Sequence, residues 1–271
     1  MGSSLAKDVR ARTLADRLVM VDRDTGIHGT IAEVTAADKV VGRVADVDTF
    51  SDGVVLAVPV GQTQSVLAEV ATMPLSNESV VTDVGSVKAT VVAVAQAFKD
   101  MAFVGAHPLA GTEHSGPQAA QTQLFEGRVC VMTPTETTVA RAYDKVEALW
   151  QGVGMRVMKM HPQEHDRLVA LSSHLPHAIA FALAACIRDK DKELWGAIDE
   201  LSGGGLKDVI RVAASDATMW RDIFVHNRKP LTQAVDEFKG CLDTLEAMIQ
   251  GNDGDLHDWL SEIRTWFREQ R

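Results

Sequence analysis

The sequence predicts an α/β domain over residues 1–162, followed by an all-helical domain over residues 163–271. In the first 160 or so residues, short apolar runs that end in Gly, Pro, Asp or Thr alternate with longer amphipathic stretches. This alternation is typical of βαβ units. After His161 the strand pattern stops, and apolar residues such as Leu168, Leu171 and Leu175 recur every three or four positions, as in a helix.

Six short apolar runs are the predicted strands of the first domain. Several are apolar throughout, as expected for strands that are covered on both faces. The predicted strands are 18–21, 54–58, 79–81, 102–104, 129–132 and 156–160. Between them, the stretches QTQSVLAEVATM and SVKATVVAVAQAFKD space their apolar residues as a helix does.

Composition excludes several classes of protein. Of the 271 residues, 46% are hydrophobic and 24% are charged, which is the usual profile of a globular protein. The net charge of -10 argues against non-specific binding to nucleic acid or to an anionic membrane. The sequence contains no run of 18 consecutive apolar residues, so it predicts no membrane-spanning helix. Three widely spaced cysteines and the lack of a signal-peptide pattern favour a reducing cytoplasm.

The first strand ends in an acid, Asp22, within LVMVDRD. In a dinucleotide-binding βαβ unit, such an acid accepts hydrogen bonds from the adenosine ribose. Gly2 precedes Asp22 by about 20 residues, the spacing expected between the last glycine of Gly-x-Gly-x-x-Gly and this acid. This interpretation places a strand and Gly-x-Gly before Met1, and a domain without them is expected to bind dinucleotide poorly. The alternative is an acid that merely faces solvent.

Two later strand ends are candidates for backbone contact with a dinucleotide. VVLAVPVGQ carries Val58 and Pro59, and VVTDVGSVK carries Gly85 and Ser86. Ligands of open α/β sheets bind at the carboxyl ends of the strands, and glycine allows a ligand to approach the backbone closely. Ordinary turns between strand and helix would explain both segments equally well.

Two further segments concentrate histidines. FVGAHPLAGTEHSGP places His107, Thr112 and Glu113 in a loop after a strand, where active sites of α/β proteins assemble. SSHLPHAIAFAL carries His174 and His177 on one helix face. Metal ligation by this pair is not favoured, because no third ligand has a zinc-site spacing.

Two other groups have competing explanations. The pair His161 and His165 is explained by a charged helix entrance. Within LSGGGLKDVIRVAASDATMWRDIF, the guanidinium of Arg211 could bind a carboxylate with two hydrogen bonds. Alternatively, Arg211 lies on a solvated helix face and pairs with a nearby acid.

Four motifs, TDVGSVK, GAHPLAGTEHSGP, SSHLPHAIAFAL and IRVAASDATMWRDI, together resemble the prephenate and arogenate dehydrogenase family of tyrosine biosynthesis. The resemblance covers essentially the whole chain. It implies an NAD-binding Rossmann-like domain, a helical domain that pairs with a second subunit, and an active site between the domains. The implied reaction is an oxidative decarboxylation, in which hydride goes to NAD, the ring carboxylate leaves as carbon dioxide and the ring becomes aromatic.

The resemblance also assigns roles to residues. His107 corresponds to the catalytic histidine that takes the proton of the ring hydroxyl, and Ser86 to a serine that orients it, so the two should be within hydrogen-bond reach. Arg211 corresponds to the arginine that binds the ring carboxylate. Asp22 favours NAD over NADP, although the adjacent Arg23 leaves some use of NADP open. The other substrate-pocket positions are Thr112, Glu113, His177, Asp208 and Trp220.

The implied function is that of an NAD-dependent prephenate dehydrogenase, which forms 4-hydroxyphenylpyruvate. The protein is expected to be cytoplasmic and to form a homodimer. No residue decides between prephenate and arogenate, so an arogenate or dual-specificity cyclohexadienyl dehydrogenase is an alternative. An alternative of another class is a non-catalytic homologue that acts as a dimeric interaction module. The family commonly has an aromatic residue and a threonine where this chain has Leu206 and Ile210, which affects the expected shape of the pocket.

Overall fold

The computed structural model describes residues 1–47, 51–111, 116–189, 192–251 and 253–270. Internal contacts divide the chain into two compact units, Met1–Asn227 and Arg228–Arg271. The first unit contains every strand of the described residues and the helices as far as His226. The second contains two long helices. The predicted boundary near Pro162 lies inside the first unit and stays a prediction.

The described residues form seven strands in two sheets. One sheet pairs two strands in parallel, and the other has five strands in sequence order. The strands are β1 Val19–Val21, β2 Lys39–Val41, β3 Gly53–Leu56, β4 Val80–Asp83, β5 Phe103–Pro108, β6 Val129–Thr133 and β7 Arg156–Lys159. Within the described residues, β1 and β2 share no sheet with the other five strands.

Strand direction within the larger sheet changes once. β3, β4 and β5 are parallel, β6 is antiparallel to β5, and β7 is parallel to β6. An antiparallel neighbour needs no helical crossover, and the described residues between β5 and β6 contain only a short 3-10 helix. All six predicted strands are present. β5 extends four residues beyond its predicted end because it pairs with β6, and the prediction missed the three-residue β2.

Twelve α-helices surround and follow the strands in the described part of the chain. The five that accompany strands are α1 Gly2–Ala11, α2 His28–Thr35, α3 Thr63–Val70, α4 Ala89–Ala95 and α5 Ala140–Gly152. Those that follow the last strand are α6 Pro162–Val169, α7 Leu175–Arg188, α8 Lys192–Leu201, α9 Gly204–Ile210, α10 Ala217–His226, α11 Arg228–Gln250 and α12 Asp253–Glu269. A π-helical segment, Ala170–His174, joins α6 to α7.

Helices cover both faces of the larger sheet. Successive strand residues point to opposite faces, and in β4 Val80 packs into one apolar cluster while Val81 packs into another. The first cluster includes Trp150 of α5, and the second includes Leu67 of α3. The carboxyl ends of β4 and β5 therefore emerge together at one edge of a sheet that is buried on both sides.

One helical stretch meets the length and composition of a membrane span. Within the described residues this is Pro162–Arg188, with a mean hydropathy of 1.5. Such a match is weak evidence, because a core helix of a globular protein passes the same test. The stretch also carries His165, Asp166 and His174, whose side chains are buried within the first unit.

Candidate active site

His107 lies near the carboxyl end of β5, next to Pro108. The alternation of β5 turns its side chain inward, and only 9% of the residue is exposed. Its Nδ1 lies 2.8 Å from Nε2 of His165 on α6, and the two rings meet edge to face with centroids 5.0 Å apart. The imidazole of His107 is therefore held by a residue 58 positions further along the chain.

His165 is in turn held by the carboxylate of Asp166. Nδ1 of His165 lies 2.8 Å from Oδ1 of Asp166. The same carboxylate accepts hydrogen bonds from the backbone N–H of Lys88 at 2.7 Å and of Ala89 at 2.9 Å. These two N–H groups lie at the start of α4, where a helix leaves its first donors without partners in the helix. Asp166 thus fixes α6 against α4.

Lys88 supplies a buried positive charge beside this row of hydrogen bonds. Its ammonium pairs with the carboxylate of Asp83 and donates to the carbonyl of Ala106 at 2.8 Å. Asp83 also accepts from the N–H of Ala106 at 3.1 Å and of Gly85 at 2.9 Å. Burial lowers the pKa of Lys88, while Asp83 acts in the opposite direction. The pair fastens the end of β4 to β5 directly before His107.

The surroundings of His107 favour its neutral form. Burial holds the pKa of His107 well below its ordinary value, and the neighbouring His165, Lys88 and His174 lower it further. Removing a charged imidazolium from water is costly, so the lowered pKa favours the neutral ring, which carries one N–H and one lone pair. A neutral imidazole can accept a proton from a bound molecule.

A second group of side chains comes from the π-helical segment, from α7, and from α10 with Asn227, the residue directly after it. Asn227 donates through Nδ2 to the backbone carbonyl of Asp166 at 2.8 Å and to Nδ1 of His174 at 2.9 Å. The ring of His177 stacks on Trp220 with centroids 3.7 Å apart, and its Nδ1 donates to the carbonyl of Ser173 at 2.9 Å. Burial lowers the pKa of His174 to about 4 and also lowers the pKa of His177.

The remaining predicted substrate residues divide into two sets. Asp208 and Arg211 lie at the end of α9 and directly after it, and both are exposed. Among the described residues, neither makes an ion pair, so the guanidinium is available to an anion. Thr112 and Glu113 lie outside the described residues.

The expected hydrogen bond between Ser86 and His107 is not formed between these two described residues. Nδ1 of His107 is bonded to His165 instead, because α6 brings that ring against the end of β5. Ser86 lies in the turn between β4 and α4 and is half-buried. The orientation of His107 by Ser86 therefore stays a prediction.

The sequence analysis explained His165, together with His161, by a charged helix entrance, and it did not single out Asp166. A signal for both was present. In a helix, residues four positions apart share a face, and His165 and Asp166 lie four residues before Val169 and Ala170. All four residues are buried. A histidine and an acid on the apolar side of a helix therefore indicate a buried polar contact, and such contacts are candidates for a functional role.

Two of the residues predicted to hold a dinucleotide, Gly2 and Asp22, have surroundings that suit this role. A Cβ on Gly2, at the start of α1, would lie 2.9 Å from Cβ of Ala57, so glycine permits close packing of the helix on the chain after β3. Close packing of helix and strand is the task of the last glycine in the dinucleotide motif. Asp22, directly after β1, uses Oδ1 to accept the N–H of Asp24 at 2.9 Å, and among the described residues its Oδ2 has no partner.

The other predicted cofactor contacts lie at strand ends. Val58 and Pro59 follow β3, and Gly85 and Ser86 follow β4. A Cβ on Gly85 would lie 2.9 Å from Oδ2 of Asp83, so this turn depends on glycine. An α/β domain with polar groups gathered at the carboxyl ends of its parallel strands is the arrangement of dinucleotide-dependent enzymes.

Comparisons with known proteins agree with this class. The family model described as prephenate dehydrogenase, nucleotide-binding domain, matches residues 5–159, and the one described as prephenate dehydrogenase, dimerization domain, matches residues 161–268. The chain belongs to the prephenate dehydrogenase family. It is an oxidoreductase with a Rossmann-like α/β domain followed by a helical domain, as the sequence predicted.

Three relatives illustrate the similarity. A cyclohexadienyl dehydrogenase of Zymomonas mobilis is 32% identical over 256 residues, covering 94% of this chain and 87% of the relative. A prephenate dehydrogenase of Bacillus subtilis is 31% identical over 264 residues, covering 94% of this chain and 69% of the relative. A crystal structure of prephenate dehydrogenase from Aquifex aeolicus, in complex with hydroxyphenyl propionate and NAD+, has a TM-score of 0.93 and 33% identity, covering 100% of this chain and 95% of that one.

Proposed function

We propose that the chain catalyses the NAD-dependent oxidative decarboxylation of prephenate to 4-hydroxyphenylpyruvate. The observation that carries the proposal is the buried, neutral His107 at the carboxyl end of β5, in a chain of the prephenate dehydrogenase family. The complex of the Aquifex aeolicus relative with NAD+ and hydroxyphenyl propionate supports both the cofactor and an aromatic-acid ligand.

NAD, when bound, supplies the acceptor for the hydride. Gly2, Asp22, Val58, Pro59, Gly85 and Ser86 would hold it. The free carboxylate oxygen of Asp22 suits the two hydroxyls of an unphosphorylated ribose and repels a 2′-phosphate, which favours NAD over NADP.

His107 acts as the general base. It accepts the proton of the ring hydroxyl as the adjacent carbon loses hydride, so the oxygen becomes a neutral carbonyl and not a positively charged, protonated one. The bond from the ring to its carboxylate then breaks. The two electrons of that bond complete the aromatic ring, a pair of electrons moves onto the carbonyl oxygen, and this oxygen takes the proton back from His107 to become the ring hydroxyl of the product. The carboxylate leaves as carbon dioxide.

Binding of the substrate falls to the residues around the end of α9 and on α7 and α10. Arg211 binds the ring carboxylate, since a guanidinium can donate two parallel hydrogen bonds to it. His177 is half-buried and stacks on the buried Trp220, and this pair is the proposed contact for the six-membered ring. Asp208, Thr112 and Glu113 are the other proposed contacts.

A second substrate is supported by one of the relatives. The Zymomonas mobilis protein is named a cyclohexadienyl dehydrogenase, which supports use of arogenate beside prephenate. Initial rates with each substrate and with NAD and NADP, measured on the same preparation, distinguish these options. We further propose a cytoplasmic homodimer with domains over residues 1–162 and 163–271, supported by the dimerization-domain match at residues 161–268.

The proposal is tested with His107→Asn and Arg211→Ala. His107→Asn should lower kcat by about 10² to 10⁴, because it removes the base, while calorimetry finds the Kd for NAD unchanged. Arg211→Ala should mainly raise KM for the substrate, because it removes a carboxylate partner. Arg188→Ala, an exposed arginine paired with Asp189, is the matched control and should keep both constants.

Two results would contradict the proposal. Equal turnover in His107→Asn would remove His107 from the chemistry. A wild-type chain that binds NAD but oxidises neither prephenate nor arogenate would instead favour the non-catalytic alternative.

A further inference from the structure

A row of hydrogen bonds runs from the N–H groups at the start of α4 through Asp166 and His165 to His107. The groups that can only donate fix the direction of each bond in this row. Backbone N–H groups can only donate, and those of Lys88 and Ala89 occupy Oδ1 and Oδ2 of Asp166. An ionised carboxylate accepts at both oxygens and donates at neither. Nδ1 of His165, at 2.8 Å from Oδ1, must therefore carry the proton of that hydrogen bond.

The same reasoning extends to His107. When His165 carries a single proton, and that proton is on Nδ1, Nε2 keeps a lone pair. That lone pair faces Nδ1 of His107 at 2.8 Å, so His107 donates through Nδ1–H. The free lone pair of His107 is then on Nε2. If the protons ran the other way, Nε2 of His107 would carry a hydrogen and could not act as a base.

We propose that His165 and Asp166 are positioning residues that set the tautomer of His107, so that Nε2 presents its lone pair to the substrate hydroxyl. The proposal rests on the proposed function, since it assigns a task within the same reaction. When His107 takes up the proton, its Nδ1–H remains bonded to His165, and the carboxylate of Asp166 stabilises the new positive charge through the intervening ring. An acid that orients a catalytic histidine has this effect in serine proteases, where Asn in its place lowers kcat about 10⁴-fold through the wrong tautomer.

Among the described residues, Lys88 and His174 also act on His107, and neither supplies a competing acceptor. The ammonium of Lys88 has only donors and is paired with Asp83. Nδ1 of His174 already accepts from Asn227. The side chain of His165 is fully buried, so the hydrogen bond from His107 is shielded from exchange with bulk water.

Two variants of His165 separate positioning from packing. His165→Gln keeps an acceptor, the amide Oε1, for Nδ1–H of His107, whereas His165→Leu fills the space with apolar atoms. We expect His165→Leu to lower kcat about 10²-fold or more while KM and the Kd for NAD stay within about twofold, and His165→Gln to recover most of kcat. If the ring served only to fill the core, Leu would be at least as good as Gln, and that outcome overturns the proposal. His161→Gln and His161→Leu, at an exposed histidine four residues earlier on the chain, are the matched controls.

A direct reading of the tautomers keeps the proposal testable if a variant fails to fold. Long-range ¹H–¹⁵N correlation spectra of the wild-type chain, without substrate, should show His107 and His165 both protonated on Nδ1 and unprotonated on Nε2. A proton on Nε2 of His107 overturns the proposal, even if the enzyme is active. The predicted tautomers in a chain that turns over no substrate would overturn the proposed function and leave the assignment of protons standing.

Discussion

Burial decides the charge state of the histidines at the site. The pKa values of His107, His174 and His177 are all lowered, and loss of water around the ring is the largest cause for each. For His174 the hydrogen bond agrees with this result, because Nδ1 accepts from Nδ2 of Asn227 and so carries no proton. A neutral ring can serve as an acceptor, which is what a base and its supports require.

His174 should make the fold sensitive to acid. Its pKa of about 4 in the folded chain lies below the ordinary 6.5, so the unfolded chain binds the proton more readily and stability falls as pH falls from about 6.5 towards 4. Between pH 7 and pH 5 this residue removes about 2 kcal/mol from the free energy of unfolding.

The measurement is urea unfolding at the two pH values. His174→Asn places an amide oxygen where Nδ1 accepts and does not titrate, so its loss between pH 7 and pH 5 should be smaller by about the same 2 kcal/mol. The exposed His161→Asn should show the full wild-type loss. An equal loss in His174→Asn and in the wild type would show that burial of His174 is not responsible.

At the scale of elements, the first residues of two helices position the site. The start of α4 holds the residues around His107, and the start of α1 belongs to the proposed cofactor site. The first N–H groups of α4 hold Asp166, and this contact places the beginning of α6 against the end of β5. The start of α1 packs against the chain after β3 through Gly2. A π-helical segment then carries His174 to the beginning of α7, and such segments are frequent at functional sites.

Gly2→Ala should disturb the cofactor half of the site. Its Cβ would lie 2.9 Å from Cβ of Ala57, so α1 must move, at a cost of about 1 to 3 kcal/mol in unfolding free energy and with weaker NAD binding. Urea unfolding and calorimetric titration with NAD measure both effects. Adding Ala57→Gly should restore both the free energy of unfolding and the affinity for NAD, because it removes the Cβ that the new side chain would contact. Gly29→Ala on α2 has no atom within 4 Å of its Cβ and should change neither quantity. Unchanged NAD affinity in Gly2→Ala would count against a cofactor role for this position.

At the scale of the whole molecule, the second compact unit exposes an apolar stripe. On α12, Leu260, Ile263 and Phe267 are 50%, 45% and 51% exposed, and their spacing of three and four residues puts them on one face. Exposed apolar faces of this kind are typical of surfaces between chains. They lie within residues 161–268, which match the dimerization domain of the family.

Replacing this stripe should weaken the proposed homodimer. Ile263→Ser combined with Phe267→Ser removes apolar area from the proposed interface, so the mass measured by light scattering after gel filtration should shift from two chains towards one. Val139→Ser changes a residue that is also exposed but lies outside residues 161–268, and it should leave the mass unchanged. A double variant that stays dimeric at low concentration would place the interface elsewhere.

The sequence by itself determined the alternation of strands and helices, apart from β2, as well as the family and the principal candidates His107, Asp22 and Arg211. These follow from local patterns, because periodicity reports how each segment is covered and a motif keeps its residues together. The start of the helical region after β7 was predictable for the same reason, as was the loop position of Ser86 after β4.

Only the tertiary structure decided which residues meet. His165 lies 58 positions from His107, and Asp166 lies 78 positions from the N–H of Lys88 that it accepts. No local period records such contacts, because they arise when α6 packs against the start of α4 and the end of β5. The same holds for the antiparallel pairing of β6 with β5, which lengthened β5 as far as Pro108. The sequence therefore determined His107 as the candidate base, and packing between distant segments decided which side chain holds its ring.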